Sequence, residues 1–267
     1  MSLTHCVGLG VAGNFAKHLE QAGEIHDFKN VTAAEGAPKG IFPFYLPKSE
    51  GQLSIYPISS TTQVAEGFEK PQLEPEVALL CDLTYENGLV KSITPQKFAA
   101  FNDCTLRRHG AKKISEKKNW GEGSKGLSET WIELDSFTPQ GKLNQYRLAS
   151  FVKRDGVLHP YGVDTEVRGY SYCYQTLIDW LVTTCQTQTD HGPLEDIASL
   201  LRENDFPSQL VIAIGATAYE SFGEHNYLQA GDEVFVAVYP DDVDNIASLL
   251  DEEQNVPNAS ILHQKVI

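Results

Sequence analysis

Residues 74–81 read Glu-Pro-Glu-Val-Ala-Leu-Leu-Cys, with two carboxylates placed directly before a run of apolar side chains. The apolar run predicts a strand, and alternate side chains of a strand share a face, so Glu74 and Glu76 can point to one place. Two carboxylates that close repel each other, whereas a divalent ion takes both as oxygen ligands. Asp103 and the amine of Lys125 would complete a site for a chelated oxyanion. The alternative is that both glutamates lie on the wet face of an antiparallel sheet.

The composition argues against several classes of protein. A chain of 267 residues is long enough to bury a large core, and its formal net charge of -15 opposes binding to nucleic acid or to an anionic membrane. No stretch approaches the roughly 20 apolar residues of a spanning helix, and residues 1–6 lack a basic region followed by an apolar one. The five cysteines form no CxxC pair and are odd in number, which suits reduced thiols. We therefore expect a cytoplasmic protein.

Helices and short strands are mixed along the chain without regular alternation, which favours an α+β fold rich in β structure. Strands are predicted at 76–82 and 88–93, joined by a turn in which Asn87-Gly88 is a hairpin signal. A helix is predicted from Thr94 to Ala100, because Pro95 would stand at its first position. Further strands are predicted at 130–134, 145–153, 156–159, 209–215 and 233–238, and a further helix at 172–185.

Residues 107–118, RRHGAKKISEKK, form a basic island in an acidic protein, and we call them the basic segment. Charge runs of this kind are usually solvated, mobile loops. The functional alternative is a lid that draws an anionic substrate toward a site. The sequence leaves both interpretations open.

Residues 8–13, Gly-Leu-Gly-Val-Ala-Gly, fit the GxGxxG spacing of dinucleotide-binding folds. That motif requires regular alternation of strands and helices after it. Instead, the chain enters a stretch rich in proline and glycine after Asn30. A dehydrogenase therefore remains a distant alternative.

The residues that follow, 14–18, read Asn-Phe-Ala-Lys-His and resemble the Asn-Tyr-x-x-His segment of the fumarylacetoacetate hydrolase superfamily, on a helix predicted from Asn14 to Gln21 with Asn14 as its cap. The resemblance continues in order along the chain. Residues 42–48 are similar to the proline-flanked loop of that family, 74–77 to its Glu-x-Glu-Leu, 102–107 to its Asn-Asp-x-x-x-Arg, 120–125 to its Trp-x-x-x-Lys region, and 212–215 with 228–234 to its closing strand and Leu-x-x-Gly-Asp-x-Val turn.

The resemblance implies a metal site and an activity. It implies that Mg²⁺ or Mn²⁺ is held by Glu74, Glu76 and Asp103, that Lys125 stabilises an enolate, and that His18 activates water. The implied reaction is hydrolytic carbon-carbon cleavage of a small anionic 2-oxo acid of the acylpyruvate or fumarylacetoacetate type, through a metal-stabilised enolate. The implied fold is a mixed β-sandwich roll in one domain, 1–267, with an N-terminal segment 1–70 and a metal-binding β core 71–267, and the implied assembly is a homodimer.

The sequence departs from the family pattern around the histidine and the substrate. Hydrolytic members carry a glutamate three residues after the histidine, where this chain has Gln21. The nearest acid, Glu20, is then the candidate for that catalytic role, although it lies on a different side of the helix. Arg107 keeps the arginine of the substrate region, but the residues after it differ. The family Gly-Thr-Pro becomes Gly-Ala-Thr at 215–217, so Thr217 would have to replace the missing hydroxyl. These departures leave a decarboxylase or isomerase, or a non-catalytic metal or ligand-binding protein, as alternatives.

Overall fold

The computed structural model describes residues 3–15, 18–23, 28, 31, 33–34, 36–108 and 110–267. The strands are β1 Val7–Ala12, β2 Gly40–Tyr45, β3 Ile58–Ser59, β4 Thr62–Gln63, β5 Pro71–Gln72, β6 Pro75–Glu86, β7 Leu89–Asn102, β8 Thr105–Leu106, β9 Lys125–Leu127, β10 Ile132–Glu133, β11 Tyr146–Arg154, β12 Val157–Glu166, β13 Gln209–Ala213, β14 Glu233–Pro240 and β15 Ser260–Val266. The helices are α1 His18–Gln21, α2 Tyr174–Thr187, α3 Ile197–Glu203, α4 Ser221–His225 and α5 Ile246–Asp251.

Two mixed sheets carry the fold in the part of the chain that is described. The larger sheet has the order β2-β1-β13-β6-β7-β9-β3, with β10 also paired to β7, and the smaller has the order β12-β11-β14-β15-β4. Strand β1 runs parallel to β13, so that Val7 pairs with Leu210, a residue far away in the sequence. The strand-rich α+β fold predicted from the sequence is confirmed.

The apolar run after Glu76 is buried on both faces of strand β6. Leu79 packs into the cluster that holds Val236 and Leu262 of the smaller sheet. Leu80 points the other way, into a cluster with Phe44 and Phe101. A strand covered on both faces needs no alternation of polar and apolar residues, which explains the continuous run.

The hairpin predicted at Asn87-Gly88 is confirmed. Glu86 pairs with Leu89, and Asn87 and Gly88 have φ of 54° and 78°, which is the left-handed geometry that a two-residue hairpin turn requires. The turn and two β-bulges, one between Leu80 and Cys81 and one between Thr84 and Tyr85, together set the register of β6 against β7. Pro75 consequently lies opposite Asn102, at the far end of the hairpin from the turn.

The helix predicted from Thr94 to Ala100 is wrong, because these residues belong to strand β7. The register shifts between the pairs Leu80↔Lys97 and Cys81↔Pro95, so Pro95 lies at a bulge, where a strand tolerates proline. Pairing with β6 on one side and with β9 and β10 on the other outweighs the local helix signal.

The smaller sheet and helix α2 complete the core. Strands β11 and β14 pair antiparallel from Tyr146↔Pro240 to Lys153↔Glu233. Helix α2 buries Leu177 and Leu181 in the same cluster as Leu79, as its apolar spacing predicts. Among the described helices, none has the length and apolar character needed to cross a membrane.

Candidate metal centre

Three carboxylates meet where the β6–β7 hairpin enters the core. Glu74 precedes β6, Glu76 lies in its second position, and Asp103 follows the last residue of β7. The Asp103 N–H donates to the carbonyl of Glu74 over 2.9 Å, which joins the two chain segments. Potential ligand atoms of the three side chains lie within 4.8 Å of one another, and all three residues are at most 3% exposed. The strand alternation predicted from the sequence therefore brings Glu74 and Glu76 together with Asp103.

Three cations surround this acidic triad of Glu74, Glu76 and Asp103. The Lys118 ammonium lies 2.6 Å from Glu74 Oε2 and 2.6 Å from Asp103 Oδ2. Arg107 Nη2 lies 2.6 Å from Glu74 Oε1, and Lys125 Nζ lies 3.2 Å from Asp103 Oδ1. All six side chains are at most 7% exposed. Buried carboxylates are thus neutralised by buried cations, as a low-dielectric interior demands.

The pKa values of Glu74 and Glu76 are shifted in opposite directions. Burial alone would raise the pKa of Glu74, but Lys118 and Arg107 outweigh it and hold that pKa well below its ordinary value. For Glu76, burial together with the neighbouring Asp103 charge raises the pKa well above its ordinary value. Glu76 has a backbone partner, since Oε2 accepts from the N–H of Gly215 over 2.6 Å. Glu76 is therefore the carboxylate least compensated by the protein.

Lys125 lies beneath the triad. Its Nζ is fully buried, donates to the carbonyl of Cys104, and lies 5.4 Å from the ring centroid of Trp120. Burial is the largest influence on the pKa of Lys125, which is lowered, while Asp103 acts in the opposite direction. Lys125 therefore holds Asp103 in place through an ion pair that is fully buried.

His18 is held by a backbone carbonyl. Its Nδ1 lies 2.8 Å from the carbonyl oxygen of Thr217, and its Nε2 lies 3.9 Å from Glu74 Oε1. With the proton on Nδ1, the hydrogen bond to Thr217 leaves the Nε2 lone pair facing the triad. The sequence-predicted histidine is thus 5% exposed and beside the carboxylates.

The helix that carries His18 brings no carboxylate to the imidazole. Glu20 is exposed, and the structure does not bring it into the cluster. Gln21 donates to the carbonyl of Tyr219 and accepts from its N–H, so its amide is used to tie α1 to residue 219. The Asn14 amide bonds the backbone of Tyr172 and Ile214. The described part of the predicted helix is His18–Gln21, and residues 16–17, which the predicted cap would bond, lie outside the described residues.

Arg107 and Thr217, the two residues predicted to bind substrate, both bond to other residues of the protein, Arg107 through its side chain and Thr217 through its backbone. Arg107 donates to Gln72 Oε1 over 2.6 Å and to Tyr219 Oη over 3.0 Å, besides its bond to Glu74. The Thr217 hydroxyl is buried and without a hydrogen-bond partner among the described residues. A Cβ built on Gly162 would lie 2.9 Å from that hydroxyl, so the Thr217 side chain points toward strand β12. Its carbonyl, by contrast, orients His18.

The cavity at the triad is small. Its volume is about 20 Å³, enough for one water, and its lining includes His18, Glu74, Glu76, Lys118 and the backbone near Ala216. Lys118, rather than Lys125, is the amine that lines it. No motif in the sequence distinguishes Lys118 from the other charged residues of 107–118.

The basic segment is packed against the protein at its C-terminal end. Ile114 is buried with Phe42 and Leu194, and Ser115 donates to the carboxylate of Glu195. Arg107 and Lys118, at its two ends, both contact Glu74; His109 lies outside the described residues. The two ends of the segment therefore contact the triad, contrary to the solvated-loop interpretation, whereas Arg108 and Lys112 between them are exposed, as that interpretation predicts.

Replacing Glu195 with glutamine is expected to change how stability depends on pH. Burial raises the pKa of Glu195 to about 7 from an ordinary 4.5, so the folded state retains a proton that the unfolded chain releases. The resulting stabilisation is complete below about pH 4.5 and is lost as the pH rises through about 7. Thermal unfolding of the parent and of Glu195→Gln across this window measures it. The parent should lose stability relative to the variant as pH rises; Glu203→Gln, at an exposed position, is the control. Parallel pH profiles for the parent and Glu195→Gln would contradict the assignment.

Several solved structures have this fold. The structure of Cg1458 with inhibitor matches 98% of this chain and 76% of its own at 15% identity, with a TM-score of 0.59. The 2-keto-3-deoxy-D-arabinonate dehydratase complexed with magnesium and 2,5-dioxopentanoate matches 97% and 72% at 13% identity, with a TM-score of 0.56. The 5-carboxymethyl-2-hydroxymuconate delta-isomerase from Mycobacterium smegmatis matches 98% and 78% at 15% identity, with a TM-score of 0.53.

The chain has the fold of the fumarylacetoacetate hydrolase family, since the structures that share it include one described as a putative fumarylacetoacetate isomerase/hydrolase, and the resemblance read from the sequence is confirmed at the level of the fold. The chain belongs to the family of unknown function DUF5718, whose model matches residues 24–266. No curated protein has a matching sequence.

The triad fits a hard divalent cation in its donor chemistry. Three carboxylates are the ligands that Mg²⁺ and Mn²⁺ prefer. Asp103 Oδ1 is buried, and the partner the structure gives it is the Lys125 ammonium at 3.2 Å. A cation bound there would compensate the charge of Glu76, which the protein itself leaves poorly compensated. Glu74, Glu76 and Asp103 are the residues that could hold it.

Proposed function

We propose that the protein is a divalent-metal-dependent enzyme that cleaves a carbon-carbon bond of a small anionic 2-oxo acid by hydrolysis. The observation that carries the proposal is the buried acidic triad, whose ligand atoms lie within 4.8 Å of one another. Burying three carboxylates at this distance is costly for folding, since like charges repel most strongly away from water. Such a cluster is therefore more typical of a functional site than of a structural one.

The relatives in structure support the substrate class. One of them, a dehydratase, is described in complex with magnesium and 2,5-dioxopentanoate, which is a 2-oxo acid. Another is an isomerase of 5-carboxymethyl-2-hydroxymuconate. We propose the same class of small anionic 2-oxo acid for this chain, and Mg²⁺ or Mn²⁺ as the ion.

Each residue of the site has a role in this proposal. Glu74, Glu76 and Asp103 would hold the ion, which supplies Lewis-acid chemistry to the carboxylate and keto oxygens of the substrate. Lys125 keeps Asp103 in place and adds a fixed positive charge behind that ligand, which favours the negative charge that develops on the keto oxygen. His18 Nε2 takes a proton from water as the water oxygen attacks the acyl carbon. The bond from that carbon to its neighbour breaks, and the neighbour keeps the electron pair and is then protonated.

A specific observation favours a second candidate. The only carboxylate beside the His18 imidazole in the described structure is Glu74, which is itself a proposed ligand, and Glu20 is exposed. Decarboxylation and isomerisation of a 2-oxo acid need no activated water and would tolerate this arrangement. Product analysis separates the two: acetylpyruvate plus water gives acetate and pyruvate, whereas oxaloacetate gives pyruvate and carbon dioxide without consuming water.

The direct test of the site is calorimetric titration of the protein with Mn²⁺, with and without oxalate. Oxalate is planar and offers two adjacent oxygens, like the enolate of pyruvate, so we expect it to tighten Mn²⁺ binding. Succinate, whose carboxylates are farther apart, is the control and should have no such effect. A protein that bound no Mn²⁺, with or without oxalate, would contradict the metal-dependent function.

A further inference from the structure

The ammonium of Lys118 lies where a divalent ion would have to bind. It is 2.6 Å from Glu74 Oε2 and 2.6 Å from Asp103 Oδ2, and it lines the small cavity that also contains Glu76. Ions of this class bind carboxylate oxygens at about 2.0–2.6 Å. A cation that bridged these two oxygens would therefore overlap the nitrogen of Lys118.

We infer that Lys118 is an internal counter-cation that competes with the divalent ion for Glu74 and Asp103 and so sets the affinity of the protein for that ion. The inference extends the proposed function, and it rests on that function only for the statement that a divalent ion binds the triad. In the ion-free protein, the ammonium holds the two carboxylates together. Entry of the ion requires the Lys118 side chain to leave them.

Charge supports the competition. Among the described residues within contact of the triad, Lys118, Lys125 and Arg107 offer three positive charges against three carboxylates. A divalent ion added to this set would leave a buried excess of positive charge, which is strongly unfavourable away from water. Lys118 is the cation whose ammonium lies between two of the proposed ligands, Glu74 and Asp103, so it is the one that the ion would displace.

The packing around Lys118 fixes its backbone, whereas its flexible side chain allows the ammonium group to move. The next residue, Asn119, donates to the carbonyls of Phe44 and Ile55 over 2.8 and 3.0 Å, which anchors the chain. The ammonium itself lies 4.9 Å from the centroid of the Phe42 ring, a position that suits a cation. Four flexible carbon atoms join the two, so the ammonium can move without the backbone.

The test compares Mn²⁺ affinity in Lys118→Met and Lys118→Gln with that in the parent. Both variants remove the competing charge, and Lys118→Gln keeps a polar group for the buried carboxylates if Lys118→Met folds poorly. We expect Mn²⁺ to bind either variant about tenfold or more tightly than the parent. Because an ion that binds only the folded state stabilises it, Mn²⁺ should also raise the melting temperature of the variants more than that of the parent.

Lys112→Met is the matched control. Lys112 is exposed in the same basic segment, and its replacement makes the same change in net charge without removing a contact to the triad. Its Mn²⁺ affinity should equal that of the parent. If the Lys118 variants bind Mn²⁺ no more tightly than Lys112→Met does, the inference is wrong.

The outcomes also separate this inference from the proposed function. Equal, measurable affinity in all the proteins would overturn the role of Lys118 and leave the metal-dependent function intact. Binding by the Lys118 variants without binding by the parent would support the competition and count against a metal-dependent parent enzyme. No binding by any of them would overturn both.

Discussion

Replacing Glu76 with alanine is expected to abolish Mn²⁺ binding while the protein remains folded. Glu76 is the carboxylate that the surrounding cations compensate least, and its pKa is raised by burial and by Asp103. The ion would therefore gain most from this ligand, and the ion-free fold would lose least without it. Two remaining carboxylates, both already paired with Lys118, would give a poor site.

The measurement is calorimetric titration with Mn²⁺, together with thermal unfolding of the ion-free variant. We expect a loss of affinity of about a hundredfold or more, which corresponds to about 2.7 kcal/mol or more. The melting temperature should stay close to that of the parent, because loss of the hydrogen bond from Gly215 offsets the relief of repulsion with Asp103. Glu86→Ala is the control, since Glu86 is exposed at the other end of strand β6. Parental affinity in Glu76→Ala would rule out the assignment of the triad as the ligand set.

Replacing Lys125 with methionine is expected to lower the free energy of unfolding by about 3 kcal/mol. Lys125 is fully buried, and its removal leaves the carbonyl of Cys104 and one oxygen of Asp103 without their cation. The expected loss lies at the low end of the range for breaking a buried ion pair, because Lys118 still contacts the other oxygen of Asp103. Urea unfolding of the ion-free proteins measures it.

The control for this prediction is Lys48→Met. Lys48 also forms a lysine–aspartate pair, with Asp205 at 2.6 Å, but both side chains are more than half exposed. Exposed pairs contribute about 0–1 kcal/mol, so this variant should be nearly as stable as the parent. Similar losses in the two variants would mean that burial of Lys125 has no special energetic role.

The acidic triad could be predicted from the sequence because its geometry follows from local rules. Glu74 and Glu76 share a face through the alternation of a strand. The Asn87-Gly88 hairpin brings the strand that ends before Asp103 back alongside them. Two β-bulges are the part of this geometry that the local rules do not supply, since the turn alone would pair Pro75 with Ala100 rather than with Asn102.

The neighbours of the triad could not be predicted in the same way. Lys118 reaches Glu74 only because Ile114 and Asn119 anchor the end of the basic segment, and that anchoring depends on residues far away in the chain. The place of Thr217 beside His18 likewise joins positions that are 199 residues apart. The wrong helix at 94–100 has the same origin, since pairing between strands outweighs a local propensity.

The parallel pairing of β1 with β13 has a consequence for synthesis of the chain. Val7 can pair with Leu210, and Asn14 and His18 can bond the carbonyls of Ile214 and Thr217, only after some two hundred further residues have left the ribosome. The acidic hairpin, by contrast, can form as soon as residue 103 emerges. Closing contacts of such long range is slow, so the nascent chain should bring its carboxylates together well before His18, though synthesised earlier, is held beside them by Thr217.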